Sequence, residues 1–397
     1  MRIAVIGAGI IGVTTAYELS ADGHEVTVFE RRQAVASDAS FANAGVVSPG
    51  YLGPWAAPGM PVKVLAGLAA PHTAVRFGAG ALAAPGWLTR YLWACRRRPH
   101  LANRRRMQRL GLYSRQRLDL LSTRMGLQYD QTAGYTVLYR HARDLARARR
   151  GLPVLDEVGV RYELLEADEA RQREPALSTH TPLAGALHLP DDLVGNCRQF
   201  AHALKSAAQA REVRFLFGAD VLRLSRSQPG SLYWREAERP QTEPRLEAFE
   251  ACVICAGTPS AALLAKLGVR VPLLSVHGYS LTAPVRHREG EDDPGPRTGV
   301  MDERFKVSIT RLGQRMRVAG IAEVGGADQL LREGPLRTLY KVLDDWYPGA
   351  ADFTKVQHWK GARPMLPDGP PLIGPSGSPA VWLNLGHGSS GWALSCG

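Results

Sequence analysis

Three glycines near the amino terminus, Gly7, Gly9 and Gly12, stand at the spacing that lets a backbone cradle a phosphate. The apolar run Arg2–Ile6 precedes them and an amphipathic pattern follows to about Asp22, so they fall at a strand-to-helix turn. Gly7 permits the tight turn, Gly9 lets the backbone approach a pyrophosphate, and Gly12 lets helix and strand pack closely. Ile10 and Ile11 open the helix, whose first amides and positive end would hold the phosphates. A second strand, residues 26–29, ends at Glu30, 18 residues after Gly12, where a carboxylate takes up a ribose hydroxyl. Arg31 and Arg32 would suit a 2′-phosphate; with Glu30 in place, FAD or NAD is favoured over NADP.

Cys252 and Cys255 form the other spacing with chemical potential. Their surroundings, residues 251–256, read as a buried strand, and a separation of three puts the thiols on opposite faces. A structural role is expected rather than metal binding or redox exchange. The five cysteines are odd in number and scattered, which agrees with a reducing compartment.

The elements that must position these groups follow in order. A Gly/Pro-rich stretch, residues 44–86, leads to basic helical patterns over 101–125 and 144–158, with a strand at 135–139 between them. A helix at 199–211 precedes strands at 214–217 and 221–224. Alternating runs at 276–282, 305–309 and 316–319 predict a β-sheet, a helix covers 330–346, and a last strand spans 381–385. The fold class is α/β, α+β overall. A Rossmann-like nucleotide-binding domain is built from separated segments, 1–60, 195–262 and 360–397. A second domain on a mainly antiparallel sheet comprises 61–194 and 263–359.

Composition limits what the chain does. With 45% hydrophobic and 22% charged residues it reads as a folded globular protein, not a disordered one. The net charge of +12 is concentrated: residues 63–150 hold 18 Lys or Arg against three acids. Such a field favours anionic surfaces. Trp87, Leu88, Tyr91, Leu92 and Trp93 stand just before Arg96, Arg97 and Arg98, a pairing suited to a membrane interface. The longest uncharged run, 41–62, contains four prolines and cannot span a bilayer as a lipid-exposed helix, so membrane contact is expected to be peripheral. The amino terminus lacks the pattern of a signal peptide, and a cytoplasmic location, peripheral on the inner membrane, is expected. No nucleic-acid partner is expected.

Three further segments narrow the nucleotide. Ser40-Phe41-Ala42-Asn43-Ala44-Gly45-Val46-Val47-Ser48-Pro49-Gly50-Tyr51, Gly361-Ala362-Arg363-Pro364-Met365-Leu366-Pro367-Asp368-Gly369, and Gly386-His387-Gly388-Ser389-Ser390-Gly391-Trp392 together resemble the small subunit of bacterial D-amino-acid dehydrogenase. That family lies within the glycine oxidase and D-amino-acid oxidase superfamily. The resemblance runs nearly end to end and includes Pro54-Trp55-Ala56-Ala57-Pro58-Gly59 and Gly278-Tyr279-Ser280-Leu281-Thr282. His277 and Asn196 depart from the family's lysine and aspartate.

The resemblance implies non-covalent FAD, with Ser40, Asn43, Ala44, Gly45 and Val46 along the isoalloxazine, Val221 near the adenine, and Ala256 and Gly257 closing over the nucleotide. Gly361 joins the cofactor contacts, as do Gly386, Gly388, Ser389, Ser390 and Gly391, which lead into a final helix that the family carries beyond Gly397. Arg363 is implied as the group that binds the substrate carboxylate, a task suited to its planar fork of donors. Tyr279, Tyr51 and His387 are implied as pocket residues, Tyr279 as a hydrogen-bond donor to that carboxylate. The implied reaction is oxidative deamination of a D-amino acid, with electrons passed to a quinone or another non-oxygen acceptor. Dehydrogenases of proline, hydroxyproline, sarcosine or an opine share these motifs, and a flavin-binding subunit of a larger complex is the reading from another class.

Overall fold

The strand Arg2–Ile6 is apolar along almost its whole length because both its faces are covered, as in a central parallel strand. In the computed structural model, which describes residues 1–67, 70–81, 84–287, 289–290, 292–326 and 330–397, it lies inside a six-stranded sheet. The order is Leu372–Pro375, Val381–Leu385, Ala251–Ile254, Arg2–Ile6, Glu25–Glu30 and Arg214–Phe217. All neighbours are parallel except the first pair. The helices Ile10–Ala21 and Cys197–Gln209 cover one face, and a three-stranded antiparallel sheet (Ala219–Leu224, Leu232–Glu236, Arg245–Glu247) with the helix Ser260–Ala265 covers the other.

Cys255 packs in the first of these cores and Cys252 in the second, so the two thiols do face opposite ways. Asn196 caps the helix Cys197–Gln209 by accepting from the amide of Gln199 at 3.3 Å, a task that asparagine performs as well as aspartate.

A ten-stranded, mostly antiparallel sheet forms the second layer. Its main path runs Gln357–Met365, Leu274–Pro284, Arg315–Val324, Val307–Leu312, Gly299–Asp302, Gln131–Tyr139, Gly185–Gly195 and Val46–Val47. The helix Glu333–Trp346 lays Leu339, Val342, Leu343 and Trp346 on one face of this sheet. Segments 46–47 and 357–365, which flank the glycine-rich loops, are therefore strands of the larger sheet.

The basic stretch contains the helices Pro85–Ala94, Arg97–Met125 and Ala142–Arg149. Trp87 is buried and donates from Nε1 to the Met365 carbonyl at 3.1 Å, and Tyr91 stacks on it at 5.3 Å. Those two aromatics are core; Leu92 and Trp93 face outward. Among the described residues no helix is long and apolar enough to cross a membrane. Residues 388–390 form a single 3-10 turn, and the chain continues in turns to Gly397.

Candidate active site

Between the two sheets runs one continuous cavity of about 1650 Å³. At one end lie Gly7, Gly9, Ile10 and Ile11; Arg363, Tyr51 and His387 lie elsewhere on its wall.

The glycines act as their spacing predicts. A Cβ on Gly12 would stand 1.8 Å from the Gly7 carbonyl oxygen, so helix and strand close only over glycine. A Cβ on Gly9 would meet only Ser40 Oγ, at 3.6 Å, and otherwise open space. Ser40 Oγ accepts from the amide of Ile10 at 3.1 Å and so fixes the loop over the helix start. This bare cradle fits a pyrophosphate.

Glu30 lines the cavity, but its carboxylate also accepts from the amides of Ala8 (2.7 Å) and Arg32 (2.8 Å), and burial raises its pKa. Arg31 reaches the cavity and pairs with Asp38 at 2.9 Å. Arg32 does not line the cavity; it pairs with the same Asp38 on the exposed side, which removes it from the expected cofactor contacts.

The loop at residues 42–46 is fastened from behind by the large sheet. Ser280 Oγ donates to the carbonyl of Ala42 (2.8 Å), Arg317 Nη1 to that of Asn43 (3.0 Å), and Thr310 Oγ1 to that of Ala44 (3.0 Å). Asn43 Oδ1 accepts from the amide of Gly45 at 2.9 Å. Asn43, Ala44, Gly45 and Val46 thus present one wall of the cavity, and Val221, Ala256, Gly257, Gly386, Gly388, Ser389, Ser390 and Gly391 lie on its remaining lining. Gly361 is absent from the lining: a Cβ there would strike the Trp359 ring at 1.9 Å, so this glycine makes room for Trp359.

Arg363 projects from the strand Gln357–Met365 beside Gly278, where a Cβ would come within 2.2 Å of Nη2. Only glycine lets the guanidinium lie there. Nη1 donates to the carbonyl of Ile321 at 2.8 Å, and no carboxylate among the described residues lies within 4 Å. Burial lowers its pKa to about 10, which leaves it charged at neutral pH. A buried guanidinium on a cavity wall, without a counter-ion among the described residues, calls for an anion.

Tyr279 also lines the cavity. Strand alternation places it on the face opposite Arg363, which shares the face of Val276 and Gly278, and its hydroxyl donates to Glu323. Glu323 in turn lies 3.0 Å from Lys360 Nζ. Tyr51 lines the cavity, with its hydroxyl donating to Glu303 (2.5 Å) and accepting from Lys306 Nζ (2.7 Å). Burial first, then the Glu303 charge, raises its pKa well above the ordinary value, so it stays a phenol. His387 is buried on the cavity wall, and burial lowers its pKa to about 3, so it is neutral.

Sequence reasoning missed Glu303, Lys306 and the pair Ser48 and Asp192. Ser48 Oγ donates to Asp192, whose carboxyl also accepts from the amide of Gly50 at 3.2 Å. Burial raises the Asp192 pKa to about 7. No local spacing announces either group, because the partners come from elements far apart in the chain.

The chain resembles known proteins along its whole length. The chain is 40% identical over 406 residues to a D-amino acid dehydrogenase of Chromohalobacter salexigens, covering all of this chain and 93% of that protein. It is 41% identical over 400 residues to a D-amino acid dehydrogenase of Cereibacter sphaeroides, covering 100% and 89%. Its fold matches the crystal structure of glycine oxidase from Geobacillus kaustophilus with a TM-score of 0.76 at 21% identity, over 100% of this chain and 92% of that one. Residues 2–397 match the FAD-dependent oxidoreductase family, and the chain, with its glycine cradle and its buried Arg363 on one cavity, belongs to that family.

Proposed function

We infer that this chain oxidatively deaminates D-amino acids with FAD and passes the electrons to a quinone. The observation that carries the reading is Arg363, a buried guanidinium with no described carboxylate partner on the cavity that also holds the pyrophosphate cradle. Gly7, Gly9, Ile10 and Glu30 would hold the nucleotide, and the loop at 42–46 with residues 386–391 would enclose the ring system. When bound, FAD supplies the two-electron acceptor for the hydride leaving the α-carbon.

The protein's own part is positioning. Arg363 holds the substrate carboxylate through paired N–H donors, which fixes the α-carbon and its hydrogen. Neutral His387 places no positive charge near the substrate amine, which must be uncharged for its lone pair to drive hydride loss. The two electrons leave with the α-hydrogen, the nitrogen forms a double bond to carbon, and water then releases ammonia and the 2-oxo acid.

The reading places the chain peripherally on an anionic membrane, where the quinone is reached. Val62 (71% exposed), Leu65, Leu92 and Trp93 stand outward, and Arg96, Arg97 and Arg98 follow the last two in exposed positions. Apolar residues next to arginines suit the headgroup region. Anaerobic bleaching of the flavin by D- and L-amino acids in the reconstituted chain tests the chemistry: bleaching by D-enantiomers is expected, and bleaching by L-enantiomers alone would reverse the substrate assignment.

A further inference from the structure

Around Tyr51 the cavity wall takes in a second group of residues, here called a chamber, whose use the deamination reading leaves open. Its floor is apolar and aromatic: Tyr135, Tyr139, Leu152, Leu155 and Leu187 line it. Arg104, on the helix Arg97–Met125, enters this chamber half-buried, between two glycines. A Cβ at Gly53 would lie 3.9 Å from its Cγ, and one at Gly151 would lie 3.4 Å from its Nη1. No hydrogen bond or ion pair joins its guanidinium to any described residue.

The rest of the chamber is cationic. Lys63, Arg143 and Arg147 stand at the rim, none in an ion pair with a described residue. The acids on this wall are Asp144 and Glu303, and Glu303 is already matched by Lys306 at 2.5 Å. A half-buried arginine with no described partner, on a cavity wall shared with apolar, aromatic and basic side chains, is arranged to receive an anion carried on an aliphatic stem.

We propose that Arg104 marks a second anion subsite, which takes the side-chain carboxylate of an acidic D-amino acid while Arg363 takes its α-carboxylate. The proposal rests on the amino-acid reading of the Arg363 site and adds the substrate class. A neutral amide in the same place leaves Arg104 with a weaker, uncharged acceptor. Discrimination between acid and amide is therefore its signature, and the loss of one charge-assisted hydrogen bond sets its size at about tenfold or more.

The test uses the full chain reconstituted with FAD and three pairs: D-aspartate and D-asparagine, D-glutamate and D-glutamine, D-2-aminoadipate and its side-chain amide. In at least one pair the acid should exceed the amide in kcat/KM by about tenfold or more. Arg104→Met should bring that ratio close to one with flavin content as in the wild type. Calorimetry gives a readout without turnover: glutarate should bind more tightly than butyrate, and R104M should erase the difference. Amides equal to their acids in the wild type, or a ratio that survives R104M, would overturn the subsite. Should R104M fail to fold, Arg104→Lys keeps the charge but loses the fork; an intermediate ratio is expected, and a wild-type ratio overturns the proposal. Bleaching by neutral D-amino acids without any acid–amide difference defeats the subsite alone, whereas no bleaching by any D-amino acid defeats the underlying reading as well.

Discussion

Arg363 donates to the carbonyl of Ile321 at 2.8 Å, and Ile321 holds a φ of +57°, a region that a β-branched residue rarely occupies. The strand pairing shows why. His277 pairs with Glu323 and Tyr279 with Gly320, so Ile321 and Ala322 together oppose Gly278 alone. This is a bulge, and it turns the Ile321 carbonyl out of the ladder toward the guanidinium. Strain of about 1–3 kcal/mol is thereby held at the residue that orients Arg363.

Replacing Arg363 with alanine should raise KM for amino acids about ten- to a hundredfold while FAD stays bound, because only the substrate loses a charged partner. Arg363→Lys should restore little, since a single ammonium cannot keep the Ile321 carbonyl and also offer paired donors to a carboxylate. Steady-state assays with an artificial acceptor, with flavin content measured alongside, decide the matter. Unchanged kinetics would remove Arg363 from the site.

Gly9 and Gly12 should fail in different ways. Gly9→Val places its methyl groups toward open cavity, so the protein should fold yet purify colourless, without the FAD that the wild type releases on denaturation. Gly12→Ala drives a Cβ into the Gly7 carbonyl and should destabilise the fold itself by about 1–3 kcal/mol or more. Thermal melts and the visible absorbance of bound flavin separate the outcomes; a yellow Gly9→Val protein would contradict the cradle.

The contrast between these glycines and the rest of the site shows what a linear pattern holds. The cradle is legible because its residues lie within a few positions of each other and obey one turn geometry. Tyr279 lines the cavity as its motif suggests, yet strand alternation sets it on the face opposite Arg363 and its hydroxyl turns to Glu323, which the motif alone does not reveal. The strand Gly185–Gly195 carries Asp192 to Ser48, but Pro190, Asp191 and Asp192 within it hide the strand pattern. Arg104 is indistinguishable in sequence from the arginines beside it; only helix phase and the glycines at 53 and 151 set it apart.

Asp192 gives a pH signature with a definite sign. Its folded pKa of about 7 lies above the ordinary carboxyl value near 3.8, so between those values the native state binds the proton more tightly than the unfolded chain. Stability from this group is full at low pH and is lost as pH rises from about 4 to 7, by on the order of a few kcal/mol. Asp192→Asn should lack that slope. Denaturant midpoints at pH 5 and 8 should shift in favour of the variant at the higher pH; a difference independent of pH would mean that Asp192 is ionised throughout.

For membrane contact, Arg96, Arg97 and Arg98 are exposed at the start of the long helix, next to outward Leu92 and Trp93. Each basic residue near an anionic surface contributes ~1 kcal/mol, so changing all three to glutamine should move protein from the liposome pellet to the supernatant at moderate salt. Dye-linked activity in solution should persist. Wild-type protein that ignores acidic liposomes at low salt would make this a solvated face.

The register of the central strand has a consequence for biosynthesis. Ile3 pairs with Ala251, and Cys252 beyond it pairs with Val381, so the strand Arg2–Ile6 is flanked on one side by partners synthesised far later. At about 5–20 residues per second, the roughly 250 intervening residues keep that apolar edge open for on the order of ten to fifty seconds. Until Arg214–Phe217 is made, Arg2–Ile6 and Glu25–Glu30 can form only a two-stranded fragment, too small to be stable alone. Newly made chains are therefore expected to need a chaperone early, and slowing translation should lower the soluble yield rather than raise it.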